Sequence, residues 1–245
     1  MNISKIRPVP NKPALMIDDK ILVIADLHIG IESGLREHGL NVSSQTDKMF
    51  DNLEKICKKY KPKKIVLLGD IKHNIPSSTI SERKDVEKFL KNAKKLSKIH
   101  IVVGNHDGFI KKLVPEDITV YPSQGFTIEN IGFIHGHSWP KEEVIKSDQV
   151  IMAHTHPTIM LTDRLGHKSF EPCWVDAKPN KKKIKEKYKT EKTPKILIIP
   201  AFNPLCGGIA INRDGITGPM SNIIDIPQSS IYLMDGTSLG FVKSI

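Results

Sequence analysis

Five short clusters of metal-ligating and acid–base residues punctuate the chain: Asp26-x-His28, Gly69-Asp70, Gly104-Asn105-His106-Asp107, His135-Gly136-His137 and His154-x-His156. The last ends VIMAHTHP, Val150 to Pro157, an apolar run closed by two histidines and a proline. Each cluster alone has a bland reading. Asp26 and His28 suit the cap of a following helix, Gly69-Asp70 a turn, and Asn105 to Asp107 a loop. Together they are harder to explain. Carboxylates and imidazoles converging on one edge of a sheet are costly to bury unless something positive pairs with them. A metal centre meets that need. Asp, His and Asn without cysteine form a hard to borderline donor set, suited to Mn, Fe, Zn, Co or Ni and not to a structural thiolate zinc site. The i, i+2 spacing of Asp26/His28 and His154/His156 lets strand-end loops turn both members inward. Seven candidate ligands over-supply one cation, whereas two cations about 3.5–4 Å apart, sharing one carboxylate, would use them all.

The elements that must position these clusters are legible as hydrophobic patterns. Each cluster ends a short Ile/Val-rich run: ILVIADLH, KIVLLGD, IHIVVGNHD, IGFIHGH and VIMAHTH. Such runs read as strands buried on both faces. In TDKMFDNLEKICKKY, the residues Met49, Phe50, Leu53, Ile56, Cys57 and Tyr60 follow helical spacing. In ERKDVEKFLKNAKKLSK, Val86, Phe89, Leu90, Ala93 and Leu96 do the same. Strand–helix alternation predicts an α/β layered domain, with ligands at the carboxyl ends of the strands of one sheet. A hairpin is expected to precede it: ALMI, a turn at Asp18-Asp19, then ILVIAD. After about Thr155 helical periodicity disappears. SFEPCWV, KILIIPAF, GIAIN, NIIDI and SIYLMDG read as strands of a second sheet packed on the first.

Composition sets outer limits. At 245 residues the chain can bury a sizeable core without staples. No apolar run approaches membrane-spanning length, so no membrane partner is expected. MNISKIRPVPNKP has no apolar leader core. Cys57, Cys173 and Cys206 form no CxxC pair, so they read as inert thiols in a reducing cytoplasm. The segment Lys178 to Lys195 carries nine lysines against two glutamates, most of the formal charge of +10. With one aromatic, Tyr188, and no arginine, it reads as a solvated hairpin or surface loop in preference to a basic arm that meets nucleic acid.

In order and type, the five clusters resemble the signature of the calcineurin-like metallophosphoesterases, from about Ile21 to Pro157. ADLHIGIESGLREHG, GDIKH, PCWV and IPAFNPLCGG are further similar to the archaeal and bacterial branch that includes the DNA-ligase-associated phosphoesterases. The resemblance implies one domain over residues 1–245, a four-layer α/β/β/α sandwich of two mixed β-sheets flanked by helices, with a Lys-rich surface insertion at about 178–195. It implies that Asp26, His28 and His156 hold one divalent metal, that Asn105, His135 and His154 hold a second, and that Asp70 bridges them. His106 would face the scissile phosphate and protonate the leaving oxygen, with Asp107 orienting it. His73 and His137 are candidates for substrate contact, Glu32 and Arg36 for the pocket rim, and Asn203 to Gly208 for a loop near the metals. His38, His100 and His167 receive no functional reading. The family usually has glycine where Ala153 stands; the added methyl is tolerable if φ there is negative.

The implied chemistry is hydrolysis of phosphate esters by two divalent cations, manganese first, with Fe, Zn, Ni or Co as alternatives. They would acidify a bridging water and fix an in-line attack by the resulting hydroxide. A phosphodiesterase is expected, with nucleic acid among the candidate substrates. A phosphomonoesterase or nucleotide pyrophosphatase is the alternative. A non-catalytic scaffold would lack ligands, and every ligand position here is filled. An amidohydrolase would open with His-x-His and carry the helices of a barrel.

Overall fold

The apolar runs of the N-terminal half fold as strands covered on both faces. In the computed structural model, which describes residues 5–40, 42–76 and 78–245, β1 (Ile6–Pro8), β2 (Leu15–Ile17), β3 (Ile21–Ile24), β4 (Lys64–Leu68), β5 (Lys98–Val102) and β6 (Thr119–Tyr121) form one sheet in that order. β1 to β3 are antiparallel, and β3 to β6 run parallel. The expected hairpin joins β2 to β3, and Asp18 and Asp19 both take left-handed φ in its tight turn. Residues 1–4, the start of the stretch read for a leader, lie outside the described residues.

Three helices connect these strands: α1 (Ile31–Glu37), α2 (Thr46–Tyr60) and α3 (Ile80–Ala93). The two longer ones are the amphipathic segments seen in the sequence. α2 buries Met49, Leu53, Ile56 and Cys57 and stops at Lys61, which turns left-handed before Pro62. α3 buries Val86, Phe89, Leu90 and Ala93. Alternate residues of each strand serve different layers. Leu22, Ile24, Ile65 and Leu67 meet these helices, while Val23, Val66 and Leu68 face the other way, into a core shared with a second sheet.

That second sheet contains β7 (Phe126–Ile128), β8 (Ile131–Ile134), β9 (Gln149–Met152), β10 (Pro157–Thr162), β11 (Lys168–Pro179), β12 (Lys195–Ile198), β13 (Ile209–Ala210), β14 (Ile224–Leu233) and β15 (Ser238–Phe241). Its path is β13-β10-β11-β12-β9-β8-β7, with β14 and β15 joined beside the second half of β11. Phe126, Ile131, Phe133, Ile151 and Trp174 fill the space between the sheets. On the outer face, Val150, Met152, Ile196 and Ile198 pack with α4 (Glu142–Ile145), α5 (Lys181–Tyr188) and α6 (Ile211–Asp214). The result is the four-layer α/β/β/α arrangement. No helix among the described residues is long and apolar enough to cross a membrane.

Three expectations need correction. The five clusters do not share one sheet: β3, β4 and β5 carry three of them, and β8 and β9 carry two. The second sheet also starts earlier than Thr155, because β7 to β9 belong to it. The lysine segment is neither hairpin nor loop over most of its length. α5 forms there because Asn180 caps it, accepting from the Lys183 amide at 3.1 Å, and because Ile184 is fully buried. Tyr188 Oη donates to the Pro140 carbonyl at 3.0 Å, and Lys187 Nζ lies 3.6 Å from the centre of the Trp139 ring. One buried isoleucine in a run of lysines gave too weak a periodic signal to be read.

Ala153 follows β9 and is not among the residues at positive φ. Its methyl is buried in the inter-sheet core. Replacing it by glycine should therefore lower stability by roughly 1 kcal/mol, through lost packing and added chain entropy. Urea unfolding of Ala153→Gly measures this; a more stable variant would show that the methyl is strained.

Candidate metal centre

Both sheets deliver their parallel strands to the same place. β3, β4 and β5 end at Asp26, Asp70 and Asn105; β8 and β9 end at His135 and His154. The two layers meet closely there. A Cβ on Gly69 would lie 2.5 Å from His135 Nδ1, and one on Gly104 would lie 2.1 Å from Asp70 Oδ1. Glycine is required at both positions by approach distance, and at Gly69 also by φ +77°.

Backbone conformation marks the site as clearly as composition does. Asp26, His28, Asp70, His154 and His156 all have positive φ, between 39° and 70°. Each left-handed residue costs on the order of 1 kcal/mol, although Asp and His tolerate it better than most. In exchange the chain turns sharply at every strand end, and side chains spaced i, i+2 both reach inward.

The donors fall into two groups. In one, ligand atoms of Asp26, His28, Asp70 and His156 lie within 4.8 Å of one another. His28 Nε2 is 3.3 Å from His156 Nε2 and 3.4 Å from Asp70 Oδ2. In the other, Asp70, His135 and His154 meet the same limit. His135 Nε2 is 3.4 Å from Asp70 Oδ2 and 3.2 Å from Asn105 Oδ1. Asp70 belongs to both. Asp26 is fully buried, and neither carboxylate oxygen accepts a hydrogen bond, although His156 Nε2 lies 3.3 Å from Oδ1. A buried, unpartnered carboxylate facing converging imidazoles is what a cation would satisfy.

The imidazoles are preset for that role. His135 Nδ1 donates to the Leu68 carbonyl at 2.8 Å and His156 Nδ1 to the Gly207 carbonyl at 3.0 Å, which leaves Nε2 of each facing the site. Burial lowers the His28 and His154 pKa values to about 3 and about 4, so both are neutral near pH 7. Burial also opposes the charge on His135, but its hydrogen bond to Asp70 and the charges of Asp70 and Asp26 outweigh it and raise the pKa to about 9. Asp70 is held well below the usual carboxylate range. Burial works against its ionisation, and the neighbouring His135 and His28 overcome that.

Around these donors the other candidates take different places. His106 donates from Nδ1 to the His73 carbonyl, and its amide donates to Asp70 Oδ1 at 2.9 Å. Asp107 does not meet the His106 ring, contrary to the orienting role expected of it. Its carboxylate accepts from the amides of Gly104 at 2.8 Å, Ile71 at 2.8 Å and Lys72 at 3.3 Å, so it staples the loop after β5 to the loop after β4. Complete burial, with the nearby Asp70 charge, raises its pKa to about 6 against the pull of those amides. His73 places Nδ1 3.2 Å from His28 Nδ1 and stacks on His106. His137 lies 5.2 Å from His135 between ring centres, and its Nδ1 is buried without a partner. Glu32 is buried in α1, accepting from the Gln45 amide at 2.6 Å, and so does not rim a pocket.

Two contributors escaped the sequence reading. Cys206, read as an inert thiol, lies with its sulfur within 4.8 Å of the His28 and His156 nitrogens, so the donor set is not free of cysteine. The loop Asn203 to Gly208 brings it there. Asn203 donates from Nδ2 to the Leu27 carbonyl at 2.8 Å, and Cys206 Sγ lies 3.6 Å from the Asp26 carbonyl. Glu82 is the other. Fully buried, it accepts from the amides of both His73 and Asn74 at 2.7 Å and holds the His73 turn against α3. Only the Thr79-x-x-Glu82 spacing hinted at a helix start there.

Known proteins resemble this chain in sequence family and in fold. A family model described as calcineurin-like phosphoesterase matches residues 19–197. The fold is similar to that of the nuclease MPE of Pseudomonas putida at 19% identity, over 96% of this chain and 98% of that one, with a TM-score of 0.58. Yfce, a phosphoesterase from E. coli, aligns at 14% identity over 90% and 96% of the two chains, with a TM-score of 0.41. Among curated proteins, none matches the sequence. With that family's signature on the five strand ends, the chain belongs to the calcineurin-like phosphoesterase family and is a metal-dependent phosphoester hydrolase.

Proposed function

We propose a dinuclear phosphodiesterase in which Asp26, His28 and His156 hold one divalent cation, Asn105, His135 and His154 hold the other, and Asp70 serves both. The observation that carries this reading is Asp70, a buried carboxylate common to two separate donor groups. Two cations, when bound, supply Lewis acidity toward phosphate oxygens and a nucleophile at neutral pH. Manganese suits the oxygen and imidazole donors, and Cys206 adds a softer atom near one group. A reducing cytoplasm is part of the same reading, supported by three free cysteines.

The chain's own residues then handle the proton and the geometry. His106 has Nδ1 committed to a carbonyl, so Nε2 is the end that meets the leaving oxygen and protonates it. Asp107 fixes the loop that carries His106 instead of touching its ring. His73 and His137 flank the two donor groups, which supports a role for them in binding phosphate oxygens. The preference for diesters rests on the branch resemblance, because most of the formal charge of +10 belongs to the lysine segment. The lysine segment adds little to it. Lys195 pairs with Gln149 at the start of β9, the end remote from the ligands.

Two outcomes test this function. A cation coordinated at His135 Nε2 must displace the proton held there, because the raised pKa of about 9 keeps the metal-free imidazole charged at pH 7. The sign follows: apparent metal affinity climbs about tenfold per pH unit from 7 toward 9 and levels off above. Calorimetric metal titration at pH 7, in two buffers of different ionisation heat, should show about one proton or more released per chain. No release would remove His135 from the ligand set. Second, the metal-loaded protein should hydrolyse bis-p-nitrophenyl phosphate and single-stranded DNA in preference to p-nitrophenyl phosphate. His106→Ala should keep its metal content and lose about 10²–10⁴-fold in turnover. Wild-type turnover in a fully loaded His106→Ala protein would end its assignment as the acid.

A further inference from the structure

The loop that carries His106 continues into Gly108 and Phe109. Phe109 is 71% exposed. Its backbone is left-handed, at φ 62° and ψ 13°, just before the short 3-10 helix Ile110–Lys112. Left-handed backbone is an outlier for so bulky a residue. An exposed phenyl ring also forgoes the stabilisation that burial would bring. A turn needs neither: glycine would relieve the backbone and a polar residue the surface. The connection from His73 to α3 adds the exposed side chain of Ile75, and α3 opens with that of Ile80.

The Phe109 ring lines a depression of about 280 Å³ together with Ser78, Arg83, Gly108, Lys112 and Leu113. Lys112 Nζ lies 5.2 Å from the ring centre. Among the described residues, neither Arg83 nor Lys112 has a carboxylate within ion-pair distance. The depression is also tied to the centre. His106 bonds the His73 carbonyl, the His73 and Asn74 amides bond Glu82, and Thr79 caps α3 by accepting from the Glu82 amide at 3.1 Å. Arg83 is the next residue along. Both walls therefore keep a fixed offset from His106.

An exposed aromatic ring with one cation over a face and a second lining the same depression, neither of them ion-paired, is the chemistry that receives a nucleobase and its neighbouring phosphates. The ring stacks any base, and the cations meet the backbone. We propose that Phe109, Arg83 and Lys112 form a stacking platform for single-stranded nucleic acid. It holds the base on the leaving-group side of the scissile phosphodiester, the side His106 serves. This inference rests on the phosphodiesterase reading and gives that reading its substrate class.

The test compares two probes on metal-loaded protein. One is a labelled five-nucleotide single-stranded DNA with slowly hydrolysed phosphorothioate linkages. The other is the same backbone with abasic sugars. By fluorescence anisotropy, the wild type should bind the base-bearing probe about tenfold more tightly, within the range a single base stack contributes. Phe109→Ala should abolish most of that preference, and Phe109→Trp should restore it, which separates stacking from damage to the loop. Arg83→Ala and Lys112→Ala should weaken both probes alike, each reducing the salt slope of binding by about 0.7. Equal wild-type affinity for the two probes, or a preference that survives Phe109→Ala, overturns the platform. Hydrolysis of bis-p-nitrophenyl phosphate in the same preparations keeps the readings apart. A wild type that hydrolyses the ester without preferring bases overturns the platform alone. One that prefers bases through Phe109 but hydrolyses no ester supports the platform and overturns the phosphodiesterase.

Discussion

Two buried carboxylates constrain everything around them. Asp26 and Asp70 sit at the meeting point of two sheets, almost without solvent contact. An isolated ion in such surroundings is costly by several kcal/mol. Asp70 is relieved by three neighbours: the His106 amide, His28 and His135. The Asp26 carboxylate accepts no hydrogen bond. In the metal-free protein His135 is the positive partner: burial opposes its charge, but its hydrogen bond to Asp70 and the charges of Asp70 and Asp26 raise its pKa. A divalent cation held by the proposed ligands would replace the His135 proton with more positive charge. Asp70 lies within reach of both donor groups, so one carboxylate can neutralise part of two cations and hold them together.

The fold is arranged to make that meeting possible. Strands covered on both faces are rigid, and their parallel ends are natural places for polar side chains. Here two such sheets are stacked so that β3 and β4 end opposite β8 and β9. Gly69 and Gly104 permit the close approach, and the Leu68 carbonyl accepts from His135 across the gap. Five of the seven proposed donors adopt left-handed backbone. That strain persists because the surrounding bonds determine it, as with Asp107 bonding three amides from two loops and Asn203 bonding the carbonyl of Leu27. Stability is given up at the strand ends and recovered in three apolar cores.

Much of this was legible in the residues. Apolar runs ending in Asp, His and Asn identified the five strand ends, because few sequences place so many ionisable groups beside buried strands. α2 and α3 were legible because their apolar residues recur with the helical period. Other features were hidden for physical reasons. A buried strand shows no period-two alternation, so nothing in its sequence says which sheet it joins, and the five clusters read as one edge. Asp107 looked like a partner for its neighbour His106, but a short carboxylate at a tight turn reaches backbone amides first. Cys206 is far along the chain from Asp26, and only the closure of the loop from Asn203 brings it close. Phe109 carries no pattern in sequence; its exposure and backbone angle appear only in three dimensions.

A dinuclear centre requires that Asp70 be shared by two cations at the junction of the sheets. Crystals of the metal-loaded protein, measured at the absorption edge of manganese, test it most directly. Two anomalous peaks per chain are expected, about 3.5–4 Å apart. The Asp70 carboxylate should touch both, with Asp26, His28 and His156 around one and Asn105, His135 and His154 around the other. A single peak at full loading, or two peaks that do not share Asp70, would contradict it.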